Sequence, residues 1–126
     1  MRNDLEYQLC KNISTYIKLQ YPKILFRFDY AGLNLSKAQA GRMKAIQGDR
    51  GFPDLTILEP NEQYNALFIE LKIEDVSCLD LTKKRNEHIK EQYNYLKRLE
   101  SKGYYACFAH TFDLAKEIID RYMSNR

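Results

Sequence analysis

The chain has 126 residues, a formal net charge of +3, 44% hydrophobic residues and 29% charged residues. These values are ordinary for one globular domain over residues 1–126 that buries its core without disulfides. No apolar run approaches the roughly 18 residues of a membrane span, and the N-terminal residues lack the apolar stretch of a secretory leader, so we expect neither.

The cysteine pattern indicates the redox compartment. Cys10, Cys78 and Cys107 are odd in number and show no C-x-x-C spacing, which is typical of free, mostly buried thiols in a reducing cytoplasm. A zinc site is not indicated, because only His88 and His110 could join the cysteines and no ligand spacing is present.

Hydrophobic periodicity divides the chain into alternating helices and strands. In chain order, the predicted elements are a helix over residues 3–20, a strand over 24–30, a short helix over 36–47, a hairpin over 50–74, a helix over 81–103, a strand over 104–110 and a helix over 112–123. A helix that connects two strands implies a parallel pair, whereas a hairpin is antiparallel. The predicted fold is therefore α/β with a mixed four-stranded sheet and the order α-β-(α)-β-β-α-β-α.

The hairpin concentrates charge at one end. Pairing Asp54 with Glu70 centres the hairpin on residue 62, within the turn sequence PNEQY. The five-residue loop also leaves room for a slip of one pair. One face then holds only apolar residues, Leu55, Ile57, Leu67, Ile69 and Leu71.

The other face of the hairpin carries Asp54, Glu70 and Lys72. Opposed side chains on one face have Cβ atoms about 5 Å apart, so the two carboxylates repel each other unless a proton or a cation intervenes. Oxygen ligands favour Mg²⁺ or Mn²⁺. The alternative is a solvated sheet face on which Lys72 offsets the carboxylate charge.

The order of two short motifs resembles a nuclease superfamily. "GFPD" at residues 51–54 followed by "ELK" at residues 70–72 resembles the PD-(D/E)XK pattern. More narrowly, "GFPDL … FIELK … EQYNYLKRLESKGYYACFA" resembles the VRR-NUC (virus-type replication-repair nuclease) family over residues 51–109. The resemblance implies a restriction-endonuclease-like core and a metal-dependent DNA endonuclease that leaves 5′-phosphate and 3′-hydroxyl ends.

Roles at the hairpin follow from this resemblance. It implies that Asp54 and Glu70, with the carbonyl of Leu71, hold Mg²⁺ or Mn²⁺, and it implies no organic cofactor. Neighbouring carboxylates favour a charged Lys72. We therefore expect Lys72 to orient the water and to stabilise transition-state charge rather than to act as a base.

Two helix residues are further catalytic candidates under the same resemblance. Glu6 lies within the apolar stripe of the first helix, and the superfamily often brings a helix carboxylate to the metal; the alternative is a capping box formed with Asn3. Gln92 lies in an apolar seam of the helix after the hairpin, and the matching glutamine of the family lies near the catalytic lysine. The alternative is a glutamine at the helix border.

Basic residues flank the carboxylates in sequence and favour an anionic partner such as nucleic acid. The candidate DNA contacts, each of which could equally be a solvated charge, are Arg42, Lys44, Arg50, Lys83, Lys84 and Arg85.

The resemblance also suggests a substrate. Stand-alone members of the family, often phage-borne, resolve branched DNA as homodimers. We therefore expect an endonuclease that acts on Holliday junctions as a two-fold dimer, in the cytoplasm of a bacterium or of a phage-infected host. The alternatives are a general or restriction-like DNA nuclease with the same site, a catalytically silent DNA-binding module of the same fold, and a small α/β interaction protein without metal affinity.

Overall fold

The computed structural model describes residues 2–29 and 34–126. Its elements are α1 (Arg2–Gln20), β1 (Phe26–Phe28), α2 (Lys37–Ile46), β2 (Leu55–Ile57), β3 (Leu67–Leu71), a 3₁₀ turn (Lys84–Asn86), α3 (Glu87–Ser101), β4 (Tyr105–Ala109) and α4 (Phe112–Ser124). The predicted order is confirmed. The predicted first strand is shorter than expected, and its last residue, Tyr30, lies outside the described residues.

The strands form a mixed sheet in the order β1-β2-β3-β4. β1 and β2 are antiparallel, β2 and β3 are antiparallel, and β3 and β4 are parallel. The hairpin pairs Leu55 with Ile69 and Ile57 with Leu67. This register, continued by one residue, sets Asp54 opposite Glu70, as the sequence predicts.

The two faces of the sheet are covered by different helices. The five apolar residues predicted for one face of the hairpin are all buried and pack with α1 and α4. On the opposite face, Ala66 and Phe68 form a smaller cluster with Leu96 and Leu99 of α3. Because side chains alternate along a strand, Glu70 belongs to the face that α3 covers.

Two tyrosine hydroxyls join α1 to α4 by hydrogen bonds to one carboxylate. The Asp120 carboxylate accepts hydrogen bonds from the Tyr16 hydroxyl and from the Tyr21 hydroxyl, the latter at 2.7 Å. The Lys116 ammonium adds an ion pair to the same carboxylate at 3.2 Å. The two tyrosine hydrogen bonds thus join α1, which carries Glu6, to α4.

α3 begins at Glu87 rather than at residue 81, because an aspartate offers the backbone an alternative to the helix. The Asp80 side chain accepts hydrogen bonds from the backbone N–H of Thr82 at 2.9 Å and from its hydroxyl at 2.6 Å. The Asn86 side-chain amide then donates to the Asp80 carbonyl at 2.8 Å. Such local turns compete with helix formation.

α3 ends at a glycine, as predicted. Gly103 has φ +92°. Its N–H donates to the Glu100 carbonyl at 3.1 Å, and the Tyr104 N–H donates to the Leu99 carbonyl at 3.2 Å, which is the Schellman pattern. The Asn65 N–H donates to the Gly103 carbonyl at 3.0 Å, so the C-terminal end of α3 lies at the start of β3.

The three cysteines are free, as predicted. Cys10 is buried and Cys107 is half-buried, but Cys78 is exposed in the turns before α3. Within residues 2–29 and 34–126, no helix combines the length and the apolar content that a membrane crossing requires.

Candidate metal centre

The carboxylates predicted to form a site meet at one edge of the sheet. Asp54 immediately precedes β2, while Glu70 and Leu71 end β3. One oxygen of the Asp54 carboxylate, Oδ2, accepts a hydrogen bond from the backbone N–H of Leu71 at 2.9 Å. The Asp54 carbonyl accepts another from the Asp29 N–H at 2.6 Å. Both the backbone and the side chain of Asp54 are therefore held in place.

Glu70 is buried, with only 3% of its surface exposed. Burial, a hydrogen bond shared with Asp54 and the negative charge of Asp54 raise the pKa of Glu70 to about 10, and the charge of Lys72 opposes this shift. Within the described part of the chain, its Oε2 atom has no hydrogen-bond partner. The alternative of a solvated sheet face is therefore wrong for Glu70.

This arrangement fits a hard divalent cation. A buried carboxyl with an unpartnered oxygen is unfavourable, and a cation between the carboxylates would remove both the repulsion and the missing contact. Among residues 2–29 and 34–126, no three His, Cys, Asp or Glu side chains cluster as a metal cage. An ion here would be held by two carboxylates, a backbone carbonyl and water, which is the usual environment of Mg²⁺.

α1 brings a third acid near this edge. Glu6 is half-buried, and its charge contributes to the raised pKa of Glu70. The helix begins at Arg2, so Asn3 lies inside it rather than at its cap; the side chain of Asn3 falls outside the described residues. The position of Glu6 is compatible with its predicted role, and the role itself stays a prediction.

Sequence reasoning identified Cys10 only as a buried thiol and missed that it lies near the acids. Cys10 is one helical turn after Glu6. Burial and the charges of Asp54 and Glu6 raise the pKa of the Cys10 thiol to about 12. Cys10 is therefore a neutral, buried neighbour of the acids. The signal that could have found it is the spacing of four residues from Glu6, which puts both side chains on one helix face.

Gly51 explains how the segment that carries Asp54 comes close to α3. Its φ of +98° is one that residues with a side chain rarely adopt. A Cβ atom there would lie 3.0 Å from the Glu91 carbonyl oxygen and 3.3 Å from the Gln92 Cα atom. Only glycine allows the segment before Asp54 to rest on the backbone of α3 at this point.

The direction of α3 relative to β3 locates Gln92. The C-terminal end of α3 lies at the start of β3, so the N-terminal half of α3 lies toward Glu70. One helical turn from Leu96 to Gln92 spans about 6 Å, and two residues from Phe68 to Glu70 span nearly the same distance. Gln92 therefore lies at the level of Glu70, and its amide oxygen is buried without a hydrogen-bond partner among the described residues. A catalytic role for Gln92 stays a prediction.

The basic residues predicted to contact DNA are all exposed. Arg42 and Lys44 lie on α2, and Arg50 immediately precedes Gly51. The remaining three lie at and just before the 3₁₀ turn that precedes α3: Lys83, Lys84 and Arg85. DNA contact by each of the six stays a prediction.

The fold and the site together define a class. A mixed four-stranded sheet, in which an antiparallel hairpin is followed by a helix that crosses to a parallel strand, is the α/β fold expected from the sequence, and the acid pair lies at one end of the hairpin.

A comparison with solved structures agrees with this class. The chain is similar to a structure described as a VRR_NUC domain protein, with a TM-score of 0.65 and 21% sequence identity over 95% of this chain and 88% of that chain. The predicted fold and the resemblance to VRR-NUC are thus confirmed at the level of the fold. No family model matches the sequence, and no curated protein is significantly similar to it.

Proposed function

We propose that this chain is a VRR-NUC-type, metal-dependent DNA endonuclease that hydrolyses phosphodiester bonds, selects branched DNA and acts as a homodimer. The observation that carries the proposal is the buried Glu70 carboxyl beside Asp54, whose Oε2 atom has no partner in the described chain. The fold shared with a VRR_NUC domain protein supports the same reaction class.

The acid pair would hold Mg²⁺ or Mn²⁺ together with the Leu71 carbonyl. When bound, the ion would supply a Lewis acid for the scissile phosphate and would acidify a water molecule. Glu70 would hold the ion as the carboxylate, without its proton. The Leu71 N–H keeps the Asp54 carboxylate oriented through the 2.9 Å hydrogen bond.

Hydrolysis then breaks one bond and forms another. The water oxygen bonds to phosphorus, and the bond from phosphorus to the 3′-oxygen breaks. The 3′-oxygen takes up a proton, which leaves 5′-phosphate and 3′-hydroxyl ends.

Lys72 is assigned to positioning and charge stabilisation. Its backbone N–H donates to the Ala109 carbonyl at 2.9 Å, which fixes the base of its side chain beside the end of β4. Its positive charge acts on the same carboxylates, because it opposes the rise in the pKa of Glu70. Lys72 therefore orients the attacking water and stabilises the negative charge of the transition state.

Lys72→Met tests this assignment. We expect turnover to fall about 10²–10³-fold, the usual effect of removing one electrostatic stabiliser, while the affinity for Mn²⁺ measured by calorimetry stays within a few-fold. Asp54→Asn is the matched comparison, which should lose both metal binding and turnover. Retained turnover in Lys72→Met with intact Mn²⁺ binding would remove Lys72 from the catalytic residues.

The nuclease proposal is tested by cleavage of a labelled four-way junction beside matched duplex and single-stranded DNA, each with EDTA, Mg²⁺ or Mn²⁺. We expect metal-dependent cutting of the junction that Asp54→Asn abolishes. Equal cutting of all three DNAs would reject branch selectivity. DNA binding without cutting in any metal would reject the enzyme, and a monomeric mass with and without the junction would reject the homodimer.

A further inference from the structure

One helix of this chain has no buried side chain. Every residue from 34 to 50, here called the arm, is exposed, including all of α2. Met43 and Ile46 of α2 are 42% and 77% exposed. Helices of this length owe most of their stability to packing and are marginal in water without it.

Local signals nevertheless specify the helix. Ser36 and Gln39 form a capping box, in which the Ser36 hydroxyl accepts from the Gln39 N–H at 3.1 Å and the Gln39 side chain accepts from the Ser36 N–H at 2.9 Å. Gly41 in the helix interior weakens it, because glycine is a poor helix former. The arm therefore carries local signals for a helix, but none of residues 2–29 and 34–126 buries it.

The C-terminal end of the arm is joined to the segment that carries Asp54. The described chain before the arm ends at Asp29, whose N–H donates to the Asp54 carbonyl. On the C-terminal side of the arm, the Asp49 carboxylate accepts from Arg98 of α3 at 2.6 Å, and Gly51 rests on the α3 backbone. The C-terminal end of the arm is thus fixed against α3, a few residues before Asp54 in the sequence.

The charged residues of the arm that have no ion-pair partner are all basic. Asp49 is paired with Arg98. The remaining charged residues are all basic and take part in no ion pair within residues 2–29 and 34–126: Lys37, Arg42, Lys44 and Arg50. Lys37 and Lys44 are seven residues apart and therefore share one face of α2.

We propose that the arm docks on the phosphate backbone of nucleic acid bound at the metal centre, and that this contact stabilises α2. The arm leads through Arg50 and Gly51 directly to Asp54, and a polyanion is the partner that its four unneutralised cations fit. The inference deepens the proposed function and rests on it.

Gly41→Ala is the sharpest test, because it strengthens the helix without creating a contact. A Cβ atom at Gly41 would meet nothing within 4 Å, and the same holds at Gly48, which lies outside α2 and serves as the matched control. If binding stabilises α2, a better-formed helix should bind duplex and junction DNA more tightly, by up to about fivefold. Gly48→Ala should leave the affinity unchanged. Equal affinities of Gly41→Ala and wild type would overturn the proposal.

A second measurement tests the charges. In EDTA, replacing Lys37, Arg42 and Lys44 with glutamine should lower the slope of log affinity against log salt by about 2–3, the amount expected for three lost phosphate contacts. The control replaces Lys11, Lys18 and Lys23, three exposed lysines at which no DNA contact is predicted, and should leave the slope unchanged. An unchanged slope in the first variant would overturn the proposal.

Hydrogen exchange separates this proposal from the nuclease. In EDTA, DNA should slow amide exchange at residues 37–46 about tenfold or more, since ordering a helix protects its amides. Protection without cleavage in any metal would keep the arm and reject the nuclease. Cleavage with no change in amide exchange at α2 would reject docking of the arm on DNA and keep the nuclease. Protection of α2 that appears without DNA and rises with protein concentration would also reject this docking.

Discussion

Replacing Glu70 with glutamine is expected to stabilise the metal-free protein at pH 8 and to abolish metal-dependent cleavage. The amide is neutral and can donate to Asp54 as the protonated carboxyl does, so the folded chain keeps its hydrogen bond without holding a proton. The same change removes one of the two carboxylates of the proposed metal centre. A single substitution should thus move stability and activity in opposite directions.

The raised pKa of Glu70 determines whether the folded wild-type protein gains or loses stability as the pH rises. The folded-state pKa of Glu70 is about 10, and its ordinary value is 4.5. Between these values the folded chain holds a proton that the unfolded chain releases, so stability is fully present below about pH 4.5 and falls as the pH rises toward 10. One proton corresponds to a slope of up to about 1.4 kcal/mol per pH unit.

Thermal melting of both proteins from pH 5 to pH 9 checks this result. Other groups titrate as well, so the informative quantity is the difference in unfolding free energy between wild type and Glu70→Gln at each pH. We expect this difference to grow with pH in EDTA. Mg²⁺ should reduce the difference, because an ion that binds only the folded wild-type protein stabilises it. Parallel pH profiles in EDTA would contradict the buried, protonated Glu70.

Gly51→Ala is expected to destabilise the protein by about 2–4 kcal/mol, the combined effect of a strained backbone and a steric clash. The strain follows from φ +98°, and the clash follows from the 3.0 Å approach to the Glu91 carbonyl. Because this contact also sets the position of Asp54 relative to α3, cleavage should fall even at temperatures where the variant is folded.

Two other glycines separate the effect of the strained backbone from that of the steric clash. Gly103 has nearly the same φ, +92°, but its Cβ position meets only the end of the Asn65 side chain, at 3.3 Å. Gly103→Ala should therefore show the strain alone, about 1–2 kcal/mol. Gly48→Ala has neither effect and should be close to neutral. Chemical denaturation of the three variants measures the series, and equal losses for Gly51 and Gly103 would rule out the close approach to α3.

The hairpin was the most predictable part of the fold. A register slip of one residue would move every apolar side chain to the wrong face, so the pattern of Leu55, Ile57, Leu67 and Ile69 excludes it. The five-residue loop left room for a slip of one pair, and the structure has the predicted register. The start of α3 was not predictable from periodicity, because the Asp80 turn competes locally with a pattern that reads as helical.

The environment of the acids could be predicted only in part. Sequence spacing puts Asp54 opposite Glu70, but the burial of Glu70 depends on α3, which is distant in sequence and covers that face. The closeness of Cys10 to the acids depends likewise on how α1 packs. The exposure of α2 was equally hidden, since a capping box specifies that a helix forms and not what buries it.

The acids belong to one hairpin, and this has a consequence for the order of folding. Asp54 and Glu70 are 16 positions apart, whereas Leu67 and its partner Tyr105 across the parallel pair are 38 positions apart. Short loops close at a lower entropic cost, so the hairpin should form first, with its acids still hydrated.

Water should leave the acids only when α3 and β4 dock. Because burial is the largest cause of the raised pKa of Glu70, ionisation should hardly affect the early hairpin and should destabilise mainly the finished fold. Raising the pH from 6 to 8 in EDTA is therefore expected to speed unfolding more than it slows refolding, as stopped-flow kinetics in denaturant would measure. A pH effect confined to refolding would mean that the acids are dehydrated before the rate-limiting step.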